Sequence, residues 1–230
     1  LQYLVLDEAD EMLRMGFAED VETILEGTPD TKQVALFSAT MPNSIRKIAQ
    51  QYLNDPTEIR VKAKTTTSAN ITQRYMQVMH SHKLDAMTRV LEVENYDGII
   101  VFVRTKAATE EIADKLKARG FQAAAINGDI PQTQRERTVE ALREGRVDIL
   151  VATDVAARGI DVPTITHVIN YGMPMKAEDY VHRIGRTGRN GMEGEAISLV
   201  SPEEGPLLKQ IQKLLKSEIE IKHVRGFELD

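Results

Sequence analysis

The stretch Ile99-Ile100-Val101-Phe102-Val103, closed by Arg104, decides the fold class. It is a short, continuously apolar run that stops at a polar residue. Runs of this kind suit strands buried on both faces, as in a parallel sheet covered by helices. Outward from it the pattern repeats: Leu4-Val5-Leu6 before Asp7, Val34-Ala35-Leu36-Phe37 before Ser38, and Ala123-Ala124-Ala125-Ile126 before Asn127. Ile149-Leu150-Val151-Ala152 before Thr153 and His167-Val168-Ile169 before Asn170 extend the series. Between the runs lie helical faces: Ile45, Ile48, Ala49, Tyr52 and Leu53; Ala108, Ile112, Ala113 and Leu116; Leu207, Leu208, Ile211, Leu214 and Leu215. Strand alternating with helix means an α/β fold with a parallel sheet and helices on both faces. Ligands of such sheets collect at the carboxyl ends of the strands, where the polar residues lie.

The stretch Lys62-Ala63-Lys64-Thr65-Thr66-Thr67-Ser68-Ala69-Asn70 is polar and has no apolar period, so it reads as a linker. The expected organisation is part of a first domain at 1–61, a linker at 62–72, a complete second domain at 73–217 opened by a strand over Gln73 to His80, and an extension at 218–230. Whether that extension prolongs the last helix or forms a tail is left open by its mixed charge. A start at Leu1, inside an apolar run, implies that something precedes it.

The net charge is -6, and its distribution matters more than its sum. Residues 1–60 hold 11 acidic and 5 basic side chains, whereas 61–230 hold 24 of each. A neutral second part can gather its arginines on one face. The absence of cysteine removes disulfides and cysteine zinc sites and fits a reducing cytoplasm. No apolar run approaches the roughly 18 residues needed to span a bilayer, so no membrane role is expected.

Chemistry concentrates in four words. Asp7-Glu8-Ala9-Asp10 puts carboxylates directly after a strand, where oxygen ligands suit a hard cation and a carboxylate can orient an attacking water. Taken alone, such a tetrapeptide also fits a solvated helix start. Phe37-Ser38-Ala39-Thr40 follows another strand, and Ala152-Thr153-Asp154-Val155-Ala156-Ala157-Arg158-Gly159-Ile160-Asp161 a third. The fourth, His182-Arg183-Ile184-Gly185-Arg186-Thr187-Gly188-Arg189, spaces arginines by three. On an unbroken helix that spacing is a basic stripe, but Gly185, Gly188, Gly191 and Gly194 interrupt any helix, so the later arginines are expected on a glycine-rich loop close to a ligand. Guanidinium is always charged and presents a planar fork, which suits charge developing in phosphoryl transfer.

These four words, in this order, resemble the DEAD-box family of RNA helicases, two RecA-like domains joined by a flexible linker. Arg14-Met15-Gly16-Phe17 and Val101-Phe102-Val103-Arg104-Thr105-Lys106 look most like its bacterial cold-shock subfamily. The resemblance runs from residue 1 to about 216. It implies ATP and Mg2+ as cofactors, with Asp7 and Glu8 handling magnesium and the hydrolytic water, and Asp10 meeting His182 when the domains close. Ser38 and Thr40 match the motif that couples hydrolysis to strand separation. Asp161 would reach the ribose, and Arg186 and Arg189 the γ-phosphate.

RNA contacts are expected at the other strand ends: Arg104, Thr105 and Lys106; Gly128, Asp129 and Arg135; Thr153, Arg158 and Gly159. Such groups touch phosphate and sugar rather than base edges, so binding should ignore sequence and weaken with salt. By resemblance the parent would be cytoplasmic and act in stress response and ribosome biogenesis, alongside ribosome-assembly or RNA-decay proteins. Of the histidines only His182 falls in a motif. His80, His82, His167 and His223 show no metal-ligand spacing and read as surface or strand-packing residues.

A phosphate-cradling G-x-x-x-x-G-K-[ST] string occurs nowhere in the chain. The parent is therefore expected to be an ATP-dependent RNA helicase, and these 230 residues alone to have negligible ATPase. The alternatives are a non-catalytic RNA- or partner-binding module built on the second domain, and a DNA helicase of the same superfamily, since phosphate contacts do not distinguish sugars.

Overall fold

In the first unit, two short strands run parallel and in register, β1 (Tyr3–Leu6) beside β2 (Gln33–Leu36), with Leu4 opposite Val34 and Leu6 opposite Leu36. The structure, a computed structural model, describes residues 1–61 and 69–227 and divides into two compact units, Leu1–Lys62 and Ala63–Asp230. Residues 62–68 of the expected linker lie outside the described residues. Helices α1 (Ala9–Arg14), α2 (Ala18–Glu26) and α3 (Asn43–Tyr52) complete the first unit. Leu6, Val21, Leu25 and Ile48 form its core, with Leu4, Met12, Leu13, Val34, Leu36 and Tyr52 packed around them. The alternate strand residues point away from that core: Tyr3 is 66% and Val5 59% exposed. This corrects the expectation of strands buried on both faces. Every helix of this unit contributes to the one cluster that covers the Leu4/Leu6 side.

The second unit carries the sheet that the sequence pattern implies. Its strands are β3 (Ile71–Gln77), β4 (Gly98–Phe102), β5 (Ala123–Ile126), β6 (Ile149–Ala152), β7 (Ile165–Asn170), β8 (Gly194–Val200) and β9 (Glu220–Ile221). They lie in the order β5-β6-β4-β7-β8-β3-β9, with all neighbours parallel. The helices are α4 (Lys83–Val93), α5 (Lys106–Ala118), α6 (Gln132–Arg143), α7 (Ala177–Ile184) and α8 (Gly205–Leu215).

Alternate residues along each strand feed two cores. Ile100, Phe102, Leu150 and Val168 pack with Leu142 of α6, Tyr180 and Ile184 of α7, and Leu208 and Ile211 of α8. Ile99, Val101, Val151 and Ile197 face the other way, onto Met87, Val90 and Leu91 of α4 and Ile112, Ala113 and Leu116 of α5. Each such side chain, fully buried, stabilises by about 1.5–3 kcal/mol before the entropy of ordering is counted.

The structure departs from the sequence reading in three places. The opening strand begins at Ile71, two residues before Gln73, and its pairing continues through Val78, whose N–H donates to Val200 O at 3.0 Å. Strand β8 is missing from the apolar series because Ser198 interrupts its run. That serine is fully buried and accepts a hydrogen bond from Asn170 Nδ2 at 3.1 Å. Beyond residue 217 the chain returns to the sheet: β9 pairs with β3, Lys222 N–H donates to Tyr75 O at 2.7 Å, and Val224 and Phe227 pack on the α4/α5 side.

Candidate functional site

The polar residues of the first unit meet where β1 and β2 end. Phe37 N–H donates to Leu6 O and Ala9 N–H to Phe37 O, so the two strand ends stay tied as the chain turns into α1. Glu8 caps that helix with φ 50 and ψ 44, a left-handed conformation that costs a non-glycine residue about 1–3 kcal/mol and marks a constrained position. Asp7 Oδ1 accepts from Glu8 N at 2.8 Å, and both carboxylates are exposed at the strand tip.

Asp10 is different: it is buried and welded to the second word of the unit. Its Oδ2 accepts from Thr40 N at 2.9 Å and Thr40 Oγ1 at 2.7 Å, and its Oδ1 from Glu11 N at 3.1 Å. Its own N–H donates to Ser38 Oγ at 3.1 Å, while Ser38 Oγ donates to Thr40 O at 2.7 Å. Burial pushes the Asp10 carboxyl up, but hydrogen bonds from Thr40, Ser38 and Glu11 outweigh it and hold the group below its ordinary value. Residues 30 positions apart thus act as one piece.

In the second unit, Asp161, Arg186 and Arg189 converge. Arg189 pairs with Asp161 Oδ1 and donates through Nε to Gly185 O at 2.9 Å, while Arg186 Nη1 donates to Ile160 O at 3.1 Å. Helix α7 stops at Gly185, which leaves Arg186 and Arg189 on the expected glycine loop. Two glycines of that loop have no substitute. Gly188 has φ +65, and a Cβ there would stand 2.5 Å from Ile71 Cγ1; one on Gly194 would stand 2.6 Å from Gly188 N. His182 sits in the last turn of α7, exposed.

Under the loop lies an ion pair that sequence reasoning missed. Arg183, only 2% exposed, clamps Asp154 with both ends of its fork, Nε to Oδ1 at 2.6 Å and Nη2 to Oδ2 at 2.8 Å. Its Nη1 donates to Gly172 O at 2.6 Å and Asn170 Oδ1 at 3.3 Å, and its plane lies 5.1 Å from the centre of the Phe102 ring. The readable signal was position: Arg183 precedes Gly185 and is therefore the one arginine of the three inside the helix.

The expected RNA residues fall into separate groups. Thr105 caps α5 by accepting from Ala108 N at 3.1 Å, and Lys106 Nζ reaches Asp129 Oδ1 at 2.6 Å with Gly128 beneath its stem. Arg135 donates to Arg158 O, next to Gly159 at φ +71, and a surface groove runs along Arg135, Arg143 and Arg158. Thr153 Oγ1 accepts from Ala156 N at 3.4 Å.

Arg104 does not join these groups. Its side chain, 44% exposed, donates through Nε to Met173 O at 3.1 Å and through Nη2 to Glu204 Oε2 at 3.0 Å. Glu204 also binds Lys83, whose Nζ donates to Tyr171 O at 2.8 Å, and accepts from Met173 N and Ser201. Burial pushes the Glu204 carboxyl up, yet Lys83 and these N–H donors outweigh it and hold it below the usual range.

Comparison with known proteins agrees with this geometry. The DEAD/DEAH box helicase family model matches residues 1–48, and the helicase conserved C-terminal domain model residues 82–191. The ATP-dependent RNA helicase DeaD of Mycobacterium tuberculosis (strain H37Rv) is 64% identical over 213 residues, 93% of this chain and 38% of that protein. Its namesake from Escherichia coli (strain K12) is 52% identical over 216 residues, 94% of this chain and 34% of the relative. The chain therefore spans well under half the length of these curated relatives. Among solved structures, S. cerevisiae Dbp5 bound to RNA and ADP BeF3 aligns with TM-score 0.84 and 33% identity, over 97% of this chain and 59% of that one. The E. coli DEAD-box protein SrmB bound to regulator of ribonuclease activity A aligns with TM-score 0.66 and 37% identity, over 68% of this chain and 93% of that one.

Proposed function

Because this chain belongs to the DEAD-box family of RNA helicases, we propose that it is the part of an ATP-dependent RNA helicase that supplies acidic groups from one RecA-like domain and arginines from the next. ATP would draw the two domains together on RNA, locally separating a short duplex, and hydrolysis would release it. The first domain is assigned to 1–61 and the second to 71–227, since its sheet begins with β3 and closes with β9.

Asp7 and Glu8 are assigned to the magnesium ion and the attacking water. Their exposed oxygens at a strand tip form the hard donor set that such a cation prefers. The ion would neutralise phosphate charge; the residues position it and the water. Asp10 couples these carboxylates to Ser38 and Thr40 through its hydrogen bonds. Asp161 is assigned to the ribose and Arg186 and Arg189 to the γ-phosphate, an addition worth on the order of a thousandfold or more in rate. The observation that carries the reading is the convergence of Asp161, Arg186 and Arg189 on a loop in which Gly188 leaves no room for a side chain.

RNA would be held by Thr105, Lys106, Gly128, Asp129, Arg135, Thr153, Arg158 and Gly159, through backbone contacts that read no sequence. Arg104, whose Nε and Nη2 hold Met173 O and Glu204 while its side chain stays 44% exposed, is assigned to the same RNA surface. No helix among the described residues is long and apolar enough to cross a membrane. A cytoplasmic role in stress response and ribosome biogenesis, with ribosome-assembly or RNA-decay proteins as partners, completes the proposal.

The test is RNA-stimulated ATPase of the 230 residues alone, of a protein extended upstream through a phosphate loop, and of that protein carrying Glu8→Gln. Negligible turnover is expected for the first, robust turnover for the second and near-complete loss for the third. Undiminished activity in Glu8→Gln would overturn the assignment of that carboxylate, and RNA binding without any ATPase in the extended protein would favour the non-catalytic module.

A further inference from the structure

At the end of the second sheet where β7 and β8 begin, Glu94, His167 and Glu195 come together, with one ligand-capable atom of each within 4.8 Å of the others. His167 sits on β7 directly beside Glu195 on β8, and Glu94 follows the last turn of α4. The histidine is 5% exposed, and its Nε2 is buried with no hydrogen-bond partner; Glu195 Oε2 is in the same condition.

The other ring nitrogen decides what Nε2 carries. Thr166 Oγ1 lies 2.8 Å from His167 Nδ1 and accepts from Asp97 N at 3.2 Å; with its proton on Gly98 O, 3.3 Å away, it accepts from Nδ1–H, which is the tautomer a metal on Nε2 requires. In the neutral ring Nε2 then presents a lone pair to Glu94 Oε2, 3.5 Å away, and to the unpartnered oxygen of Glu195. Lone pairs facing lone pairs in a buried place repel unless a proton on Nε2 or a cation lies between them. Lys222 does not fill that role, because it pairs with the other Glu94 oxygen, Oε1. Nor does Arg74 Nε fill it: Arg74 lies on the adjoining strand, and its Nε is itself without a partner.

We propose that Glu94 Oε2, His167 Nε2 and Glu195 Oε2 form a binding site for a divalent first-row transition metal of the zinc class, independent of nucleotide and RNA. One imidazole with two carboxylates and no sulfur suits such a borderline ion, whereas magnesium and calcium prefer oxygen alone. The 3.5 Å separation of Nε2 and Oε2 is the spacing of two ligands on one tetrahedral ion at about 2.0–2.1 Å from each. An Nδ1–H held by a hydroxyl oxygen is the outer support that a metal-bound histidine commonly has. The ion staples β7, β8 and the turn after α4, and through Lys222 on Glu94 it holds the returning segment that contains β9.

The test uses the 230-residue chain and Zn2+ alone as probe, with calorimetric titration and thermal unfolding of wild type, His167→Gln, Glu195→Gln and the control His80→Gln. One ion per chain is expected, together with a zinc-dependent rise in the unfolding midpoint, both unchanged in the control. Affinity is expected to fall by more than about tenfold in each site variant. Glu195→Gln, at a half-buried position, covers the case in which His167→Gln does not fold. No uptake, uptake indifferent to Glu195→Gln, or an imidazole 15N spectrum showing Nε2 protonated and unmoved by Zn2+ would each overturn the site.

Discussion

The two units make opposite use of the same strand-and-helix vocabulary. In the first, two strands are covered on one side only, with Tyr3 and Val5 left bare and a core of four fully buried residues. In the second, seven strands are packed by helices on both sides, and a buried Arg183 clamps the partly exposed Asp154. The groups assigned to water and metal stand on the first unit, and those assigned to phosphate charge on the second. A rigid platform suits arginines that must arrive in a set geometry.

The sharpest way to break this contrast is to remove the pair beneath the loop. Arg183→Ala empties a buried space and leaves Gly172 O and Asn170 Oδ1 without their donor, so urea unfolding of the second unit is expected to lose about 2–5 kcal/mol. A loss near zero would mean that the pair does not support the loop. Next in size is Gly194→Ala, whose added carbon would meet Thr187 and the Gly188 backbone; a loss of about 1–3 kcal/mol is expected in the same measurement.

Asp10→Asn addresses the first unit, with an expected loss of about 1–2 kcal/mol. It carries a pH signature as well. The folded Asp10 carboxyl titrates below its unfolded value of about 3.9, so its stabilisation is complete above that pH and is lost as pH falls through the lower folded value. Unfolding followed from pH 5 to pH 3 should show acid loss in wild type that Asp10→Asn lacks. The smallest effect belongs to the exposed Lys106–Asp129 pair. Lys106→Ala should change stability by less than about 1 kcal/mol, yet weaken RNA binding uniformly across sequences and reduce the salt slope by about one phosphate.

Where polarity followed an apolar run, the sequence was easy to read. Asp7, Thr153 and Arg104 all stand at strand ends, and the loop bearing Arg186 and Arg189 was visible from its glycines. Strand β8 was hidden because its buried Ser198 depends on Asn170, 28 positions away, for a partner. The same distance problem hid Arg183 with Asp154 and the contact of Arg104 with Glu204, 100 residues on. The bare face of β1 was unreadable for another reason: Leu4-Val5-Leu6 is apolar at every position, and such a run does not say how many sides are covered. His167 read as strand packing because its candidate co-ligands, at 94 and 195, share no local spacing with it.

The central claim is that the second unit completes catalysis with Arg186 and Arg189. Its most direct measurement is single-turnover ATP hydrolysis on RNA by the upstream-extended protein carrying Arg186→Ala or Arg189→Ala, with ATP affinity measured separately. The account predicts a hydrolysis rate about a thousandfold lower for Arg186→Ala and Arg189→Ala, with folding intact. Rates within about tenfold of wild type would contradict it.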